Sequence, residues 1–209
     1  MRLDQISLTS VWFLLYMLVL CQPLLAYSDG VNVGDIAPNF ELRNIDGRVV
    51  SLSQYKSQKG AIIVFTCNHC PYSVKYEDRI IQLHDLFAPL GFPVIAINPN
   101  DAVKVPEDSF ENMKLRAKEK KFSFPYLVDE TQEVATAYGA KRTPHVYVVA
   151  NTAEGMIVQY IGAIDDNATD AAAVETRFVR DAVTALLAGK MPTTPITKAI
   201  GCTIKWKSK

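Results

Sequence analysis

The feature that most constrains this chain is an abrupt change of period near its first third. Ala61 to Thr66 (AIIVFT) is a continuous run rich in β-branched residues. Such a run reads as a strand buried on both faces. It is followed at once by Cys67-Asn68-His69-Cys70-Pro71, and from Pro71 the apolar residues recur at steps of four and three: Tyr76, Ile80, Leu83, Phe87 and Leu90. That spacing places them on one face of a helix, which Gly91 is expected to end. The chain therefore passes from buried strand to amphipathic helix across two cysteines.

The remaining segments extend the same alternation. Phe40–Leu42 and Val49–Leu52 flank Asp46-Gly47, a dipeptide that favours a tight hairpin turn. Pro93–Asn98 is a second buried strand. Asp108, with Glu111 three residues on, reads as the cap of a helix whose stripe is Phe110, Met113 and Ala117. Phe124–Val128 is a short strand and Glu133–Tyr138 a short helix closed by Gly139. His145–Ala150 and Ile157–Ile161 are expected to pair as a hairpin. Asp170 is expected to begin a last helix that buries Val174, Phe178, Ala182 and Leu186 and ends at Gly189. Strands alternating with helices, then a hairpin and a final helix, give an α/β class with a mixed central sheet flanked by helices and an N-terminal β-hairpin extension.

The N-terminus has its own character. Val11–Leu20 is an unbroken apolar stretch behind Arg2, followed by Leu24-Leu25-Ala26. This is the layout of a secretory signal peptide over 1–26, with an uncleaved anchor as the alternative. A domain over 27–190 and a tail over 191–209 complete the division. The implied localisation is exported, periplasmic or secreted. The chain carries 22 basic and 22 acidic residues, so no charge excess points to nucleic acid or to an anionic membrane surface. Of its four cysteines, Cys21 lies in the leader, which leaves Cys67, Cys70 and Cys202. A disulfide-stapled secreted fold carries more, evenly paired. One close pair and one distant cysteine suggest redox use, and no cofactor is expected.

At a strand-to-helix junction Cys67 sits beside the free N–H groups of the first helical turn, which favour a negative sulfur. The thiolate is the reactive form. Two intervening residues let Cys70 close a small ring with it, and Pro71 suits the first turn. A protonated His69 would favour the Cys67 thiolate further and make the pair more oxidising. Haem attachment needs a histidine directly after the second cysteine, where Pro71 stands. A zinc site needs a second ligand pair, and Cys202, His69, His84 and His145 are not spaced as one. His84 reads as solvated and His145 as structural. Glu107 and Asp101 are both candidates for a buried acid that assists proton transfer, and nothing in the sequence selects either.

Cys67-x-x-Cys70 between strand and helix, with Thr143-Pro144 before a hairpin, resembles the thioredoxin superfamily. The opening Val33-Gly34-Asp35-Ile36-Ala37-Pro38-Asn39-Phe40 is similar to the start of its redoxin and peroxiredoxin (AhpC-TSA-type) branch. The resemblance implies that Cys67 attacks, that Cys70 resolves, and that Pro144 is a cis-proline facing the pair, with Thr143 offering backbone contacts to substrate. The implied activity is exported thiol–disulfide exchange with protein thiols or disulfides and with a redox-recycling partner; it leaves oligomeric state open. A thiol peroxidase is the alternative. Peroxidatic members carry Thr or Ser three residues before the reactive cysteine, where Val64 stands here. A third reading is a Cu(I) carrier, since soft thiolates suit that metal. Cys202 has two readings: a third redox cysteine, folding back on Cys67 or trapping a mixed disulfide, or a lone thiol behaving as a small hydrophobe. Its place after Gly201 in a polar tail favours exposure.

Overall fold

A computed structural model describes residues 30–208. The expected leader, its expected cleavage point and Cys21 lie outside these residues. Among the described residues no helix is long and apolar enough to cross a membrane.

The strands are β1 (Glu41–Asn44), β2 (Val49–Ser51), β3 (Gly60–Phe65), β4 (Val94–Asn98), β5 (Tyr126–Val128), β6 (Arg142–Thr143), β7 (His145–Thr152), β8 (Gly155–Gly162) and β9 (Cys202–Thr203). The helices are α1 (Pro71–Phe87), α2 (Phe110–Lys120), α3 (Glu133–Tyr138) and α4 (Phe178–Leu187). Seven strands form one mixed sheet in the order β2-β1-β5-β4-β3-β7-β8, and β6 pairs with β9. β3, β4 and β5 run parallel, as crossover helices require. β7 lies antiparallel on β3, and the β1–β2 hairpin joins the other edge antiparallel to β5.

β3 explains why its sequence has no polar break. Its residues alternate between two cores, one on each face of the sheet. Ile62 and Val64 pack with Tyr76, Ile80 and Phe87 of α1 and Val179 of α4. Ala61, Ile63 and Phe65 pack with Phe40, Tyr138 and Ile204. A period of two in a strand covered on both sides leaves no position for a polar residue. Burying each large side chain contributes about 1.5–3 kcal/mol. On the α1 side, Glu77 is clamped by Arg116 of α2 at 2.6 Å, and Asp165 by Arg79 at 2.6 Å. These ion pairs fix α1 against α2 and against the loop after β8.

Several expectations are corrected. α1 ends at Phe87, and Ala88–Leu90 tightens into a 3-10 turn closed by Gly91 at φ 95°. Leu90 is consequently 45% exposed rather than on the buried stripe. The last helix starts at Phe178, not Asp170. Side chains take the backbone N–H groups that a helix there would use: Asn167 Oδ1 accepts from Thr169 and Asp170, and the Asp166 carboxylate accepts from Glu175 and Thr176. His84 is not solvated. Its Nδ1 accepts the Val94 N–H at 3.2 Å, its ring lies 5.6 Å from that of Phe124, and burial lowers its pKa. The C-terminal segment is not a free tail, because Ile204 is 3% exposed and anchors it in the core beneath β6.

Candidate active site

The end of β3 delivers Cys67 to the head of α1. Cys70 is the residue that caps α1 and Pro71 is its first residue, where a missing N–H costs little. Both sulfurs are buried, as are Thr143 and Ser73. The Thr143–Pro144 peptide is cis. Cys67 Sγ lies 3.3 Å from Thr143 Oγ1, 3.8 Å from Ser73 Oγ and 3.6 Å from His69 Nδ1. Cys70 Sγ–H points at the Thr143 carbonyl oxygen at 3.1 Å. Thr143 thus touches both sulfurs, with its hydroxyl on one and its backbone on the other.

The side chain that organises the loop between the cysteines is Asp108, which the sequence reading assigned to capping a helix. The N-cap of α2 is Ser109 instead. The Asp108 carboxylate, buried completely, turns to the cysteine loop. It accepts the Asn68 N–H at 2.7 Å, the His69 N–H at 3.2 Å, the His69 Nδ1–H at 2.5 Å and Asn100 Nδ2–H at 2.8 Å. Neither Glu107 nor Asp101 takes this place. The only sequence signal for Asp108 was its residue type in a loop near the carboxyl end of a parallel strand, where sites of α/β sheets gather. Asp108 and Cys67 both face the same nitrogen of His69. The three are therefore not a relay through the two ends of an imidazole. His69 Nδ1–H is held by the carboxylate and leans on the sulfur as a secondary contact.

Electrostatics join the two thiols into one titrating unit. Cys67 and Cys70 share a hydrogen bond, which drives their ionisations apart. Cys70, accepting that bond, is pulled down to about 4; burial opposes this, while a bond with Cys202 and the N–H groups of Ser73 and Cys202 assist. Cys67 is pushed up by the same bond, by burial and by the Asp108 charge, against the Thr143 hydroxyl and the Cys70 N–H. If the proton moves to Cys70, toward the Thr143 carbonyl, the charge passes to Cys67, where two hydroxyls converge. The two arrangements differ in the position of one proton, and both favour a single negative charge on the pair.

That charge makes the stability of the reduced protein depend on pH. The first ionisation of the pair lies below that of an unfolded thiol, near 9.0, so the contribution is fully present at about pH 9 and lost as pH falls toward about 4. The second thiol is raised, so above about pH 9 the sign reverses. The melting temperature of the dithiol form, measured against the disulfide form, is expected to fall steadily from pH 8 to pH 5; a constant difference would refute the shared charge.

His145 lies beside Pro144, with Tyr147 Oη at 3.4 Å from its Nδ1. Burial, with the charges of Lys141 and Arg142, lowers it to about 4, so it is neutral and structural at pH 7. Cys202 is brought to the site by the pairing of β9 with β6, which sets it opposite Thr143. It meets Cys70, not Cys67 as the sequence suggested, and is half-buried rather than exposed. Cys67, His69 and Asp108 form the cluster among the described residues whose ligand atoms lie close enough to hold a metal ion, all within 4.8 Å of one another.

The solved structures with this architecture include an uncharacterized conserved protein from Geobacillus kaustophilus. It is 41% identical with a TM-score of 0.79, and the match covers 85% of this chain and 94% of that one. A protein from Sinorhizobium meliloti 1021, SMc02350, is 32% identical with a TM-score of 0.79, covering 86% and 97%. Among named relatives, the chloroplastic peroxiredoxin Q of Oryza sativa subsp. japonica is 32% identical over 109 residues, 52% of this chain and 46% of the relative. The thiol-disulfide oxidoreductase ResA of Geobacillus thermodenitrificans (strain NG80-2) is 26% identical over 122 residues, 57% of this chain and 64% of the relative. The chain spans about half the length of the peroxiredoxin relative. The AhpC/TSA family model matches residues 33–161, a stretch that runs from the N-terminal segment through both cysteines and the cis-proline to the end of the β7–β8 hairpin, and the chain belongs to the AhpC/TSA family of thioredoxin-fold redox proteins.

Proposed function

We propose that this chain is an exported thiol–disulfide oxidoreductase that exchanges disulfides with protein partners through Cys67 and Cys70. The observation that carries the reading is a pair of buried cysteines at the head of a helix, both held against Thr143, whose hydroxyl is 3.3 Å from Cys67 Sγ and whose carbonyl oxygen is 3.1 Å from Cys70 Sγ. In the reducing direction the Cys67 thiolate attacks a partner disulfide, and the partner's leaving sulfur departs with the bonding electron pair and takes a proton. Cys70 then attacks the Cys67 sulfur of the mixed disulfide and releases the second partner thiol. Two electrons have passed to the partner and Cys67–Cys70 is a disulfide. The oxidising direction runs the same steps backwards, and a recycling partner restores the starting state. Thr143 contributes its hydroxyl to the sulfur of Cys67, and Asp108 holds His69 beside it.

A thiol peroxidase is the second reading, favoured by the peroxiredoxin relatives. One experiment separates them. The chain is equilibrated in thiol buffers of graded potential, alkylated and weighed, and then challenged with low peroxide. The oxidoreductase gives a reversible two-electron couple between about −270 and −120 mV, the span of related Cys-x-x-Cys pairs. Rapid stoichiometric thiol loss to peroxide moves the assignment to peroxidase. Thiols that stay reduced throughout would overturn both and leave soft-metal binding at Cys67 and Cys70.

A further inference from the structure

Three cysteines, not two, gather around Thr143. β9 runs antiparallel to β6 with Thr143 opposite Cys202 and Arg142 opposite Thr203. Gly201 makes this approach possible, because a Cβ there would stand 2.1 Å from the Thr143 carbonyl oxygen. That same carbonyl is 3.1 Å from Cys70 Sγ. Cys70 and Cys202 therefore flank one peptide group, near enough for each to shift the ionisation of the other. Cys70 is the thiol that acts on both of the others, on Cys67 and on Cys202, and so links them.

The segment that carries Cys202 is fastened at both ends. Upstream, Arg142 donates to the Gly201 carbonyl at 2.8 Å, and Thr197 N–H donates to Ile161 O at 2.9 Å. Downstream, Lys205 N–H donates to Asn100 Oδ1 at 2.8 Å, and the Lys205 carbonyl accepts from Asp101 N–H at 2.9 Å. The tail is thus held over the pair, whose sulfur-bearing residues are 2% and 0% exposed, while Cys202 itself is partly open to solvent.

We propose that Cys202 is a third redox residue, the surface port of a relay that runs through Cys70 to Cys67. This rests on the oxidoreductase reading. In the oxidised protein the Cys202 thiolate attacks the Cys70 sulfur. The Cys67–Cys70 bond breaks with its electron pair on Cys67, and a Cys70–Cys202 bond forms. The proton that leaves Cys202 is matched by one that Cys67 takes up, so the step is neutral in charge and electrons. An external thiol reductant, protein or small molecule, then attacks the accessible Cys202 sulfur, and a second thiol completes the release. In the reduced protein Cys202 is pushed up to about 11 by burial and by the bond and charge of Cys70. Once Cys70 is in a disulfide its charge is gone, and Lys205 and Arg142 remain to favour the Cys202 thiolate.

Disulfide mapping on the full chain tests the proposal. Trypsin leaves Cys67 and Cys70 together in peptide 60–75 and Cys202 in peptide 199–205. A bond to Cys202 therefore joins two peptides that the Cys67–Cys70 bond does not. In Cys67→Ser, oxidising thiol buffer is expected to join them. In Cys70→Ser the joined species is expected to fall by about tenfold, equivalent to about 30 mV for a two-electron couple. Cys202→Ala is expected to slow reduction of the wild-type-like Cys67–Cys70 disulfide by glutathione about tenfold (about 1.4 kcal/mol of barrier). If wild type forms Cys67–Cys70 but Cys67→Ser never joins the peptides, the relay is wrong and the oxidoreductase stands. Equal joining in Cys70→Ser, or an unchanged reduction rate in Cys202→Ala, also overturns the relay. If wild type forms no disulfide at all, the oxidoreductase reading itself fails.

Discussion

In Cys67→Ser, turnover of a disulfide substrate falls to background, a loss of at least about a thousandfold, or about 4 kcal/mol of barrier. A serine hydroxyl neither ionises at neutral pH nor forms a disulfide, so both halves of the cycle stop. Cys70→Ser has a different signature. The largest influence raising Cys67 is its bond with Cys70. A serine at 70 removes the competing thiol, so Cys67 keeps the negative charge and attacks. With no resolving sulfur at 70, the chain accumulates as mixed disulfides, which appear as covalent adducts on non-reducing gels and by mass. Combining Cys70→Ser with Cys202→Ser is expected to leave the lifetime of those adducts nearly unchanged, because Cys202 reaches Cys67 only through Cys70. Turnover retained in Cys67→Ser, or no adducts in the double variant, would contradict the assignment of Cys67 as the attacking group.

What the sequence disclosed follows the range of the interactions involved. β3 and α1 were legible because each writes its burial into a local period, two-sided in Ile62 and Ile63 and one-sided in Tyr76, Ile80 and Leu83. The β1–β2 hairpin was legible from its Asp46-Gly47 turn, and the β7–β8 hairpin from two apolar runs on either side of a short loop. The start of α4 was not. Asp166, Asn167 and Asp170 favour caps in general, and only the folded loop shows that they hold the loop's own backbone instead, Asn167 at Asp170, Asp170 at Ala172 and Asp166 at Thr176. The partner of Cys202 depends on a pairing between residues 142–143 and 202–203, two residues on each strand. So short a pairing leaves no periodic trace. Asp108 was misread on the same grounds. It fits a capping pattern locally, yet its carboxylate reaches His69 across 39 positions of sequence.

That misreading marks the residue whose replacement is most informative after the cysteines. In Asp108→Asn the apparent ionisation of the Cys67–Cys70 pair is expected to fall by about one pH unit. The sign follows from charge. The Asp108 carboxylate pushes the Cys67 thiol up, so its removal favours the thiolate, and alkylation stays fast to lower pH. The same change should make the disulfide easier to reduce, because a thiolate stabilised in the reduced form shifts the couple toward it. Geometry works alongside charge. Four donors converge on this carboxylate. An asparagine there can accept the Asn68 and His69 N–H groups but turns its own amide toward the Asn100 donor. An alanine leaves all four unpaired, at about 1–3 kcal/mol for each one left buried. Asp108→Ala should therefore be the less stable variant, while both shift thiolate absorbance along the pH axis by similar amounts. A profile unmoved in both would make Asp108 a purely structural tie. A shift in Asp108→Ala alone would assign the effect to the displaced loop. A common shift with unequal stability would establish a buried charge whose field, held 2.5 Å from His69 Nδ1, sets the reactivity of the pair.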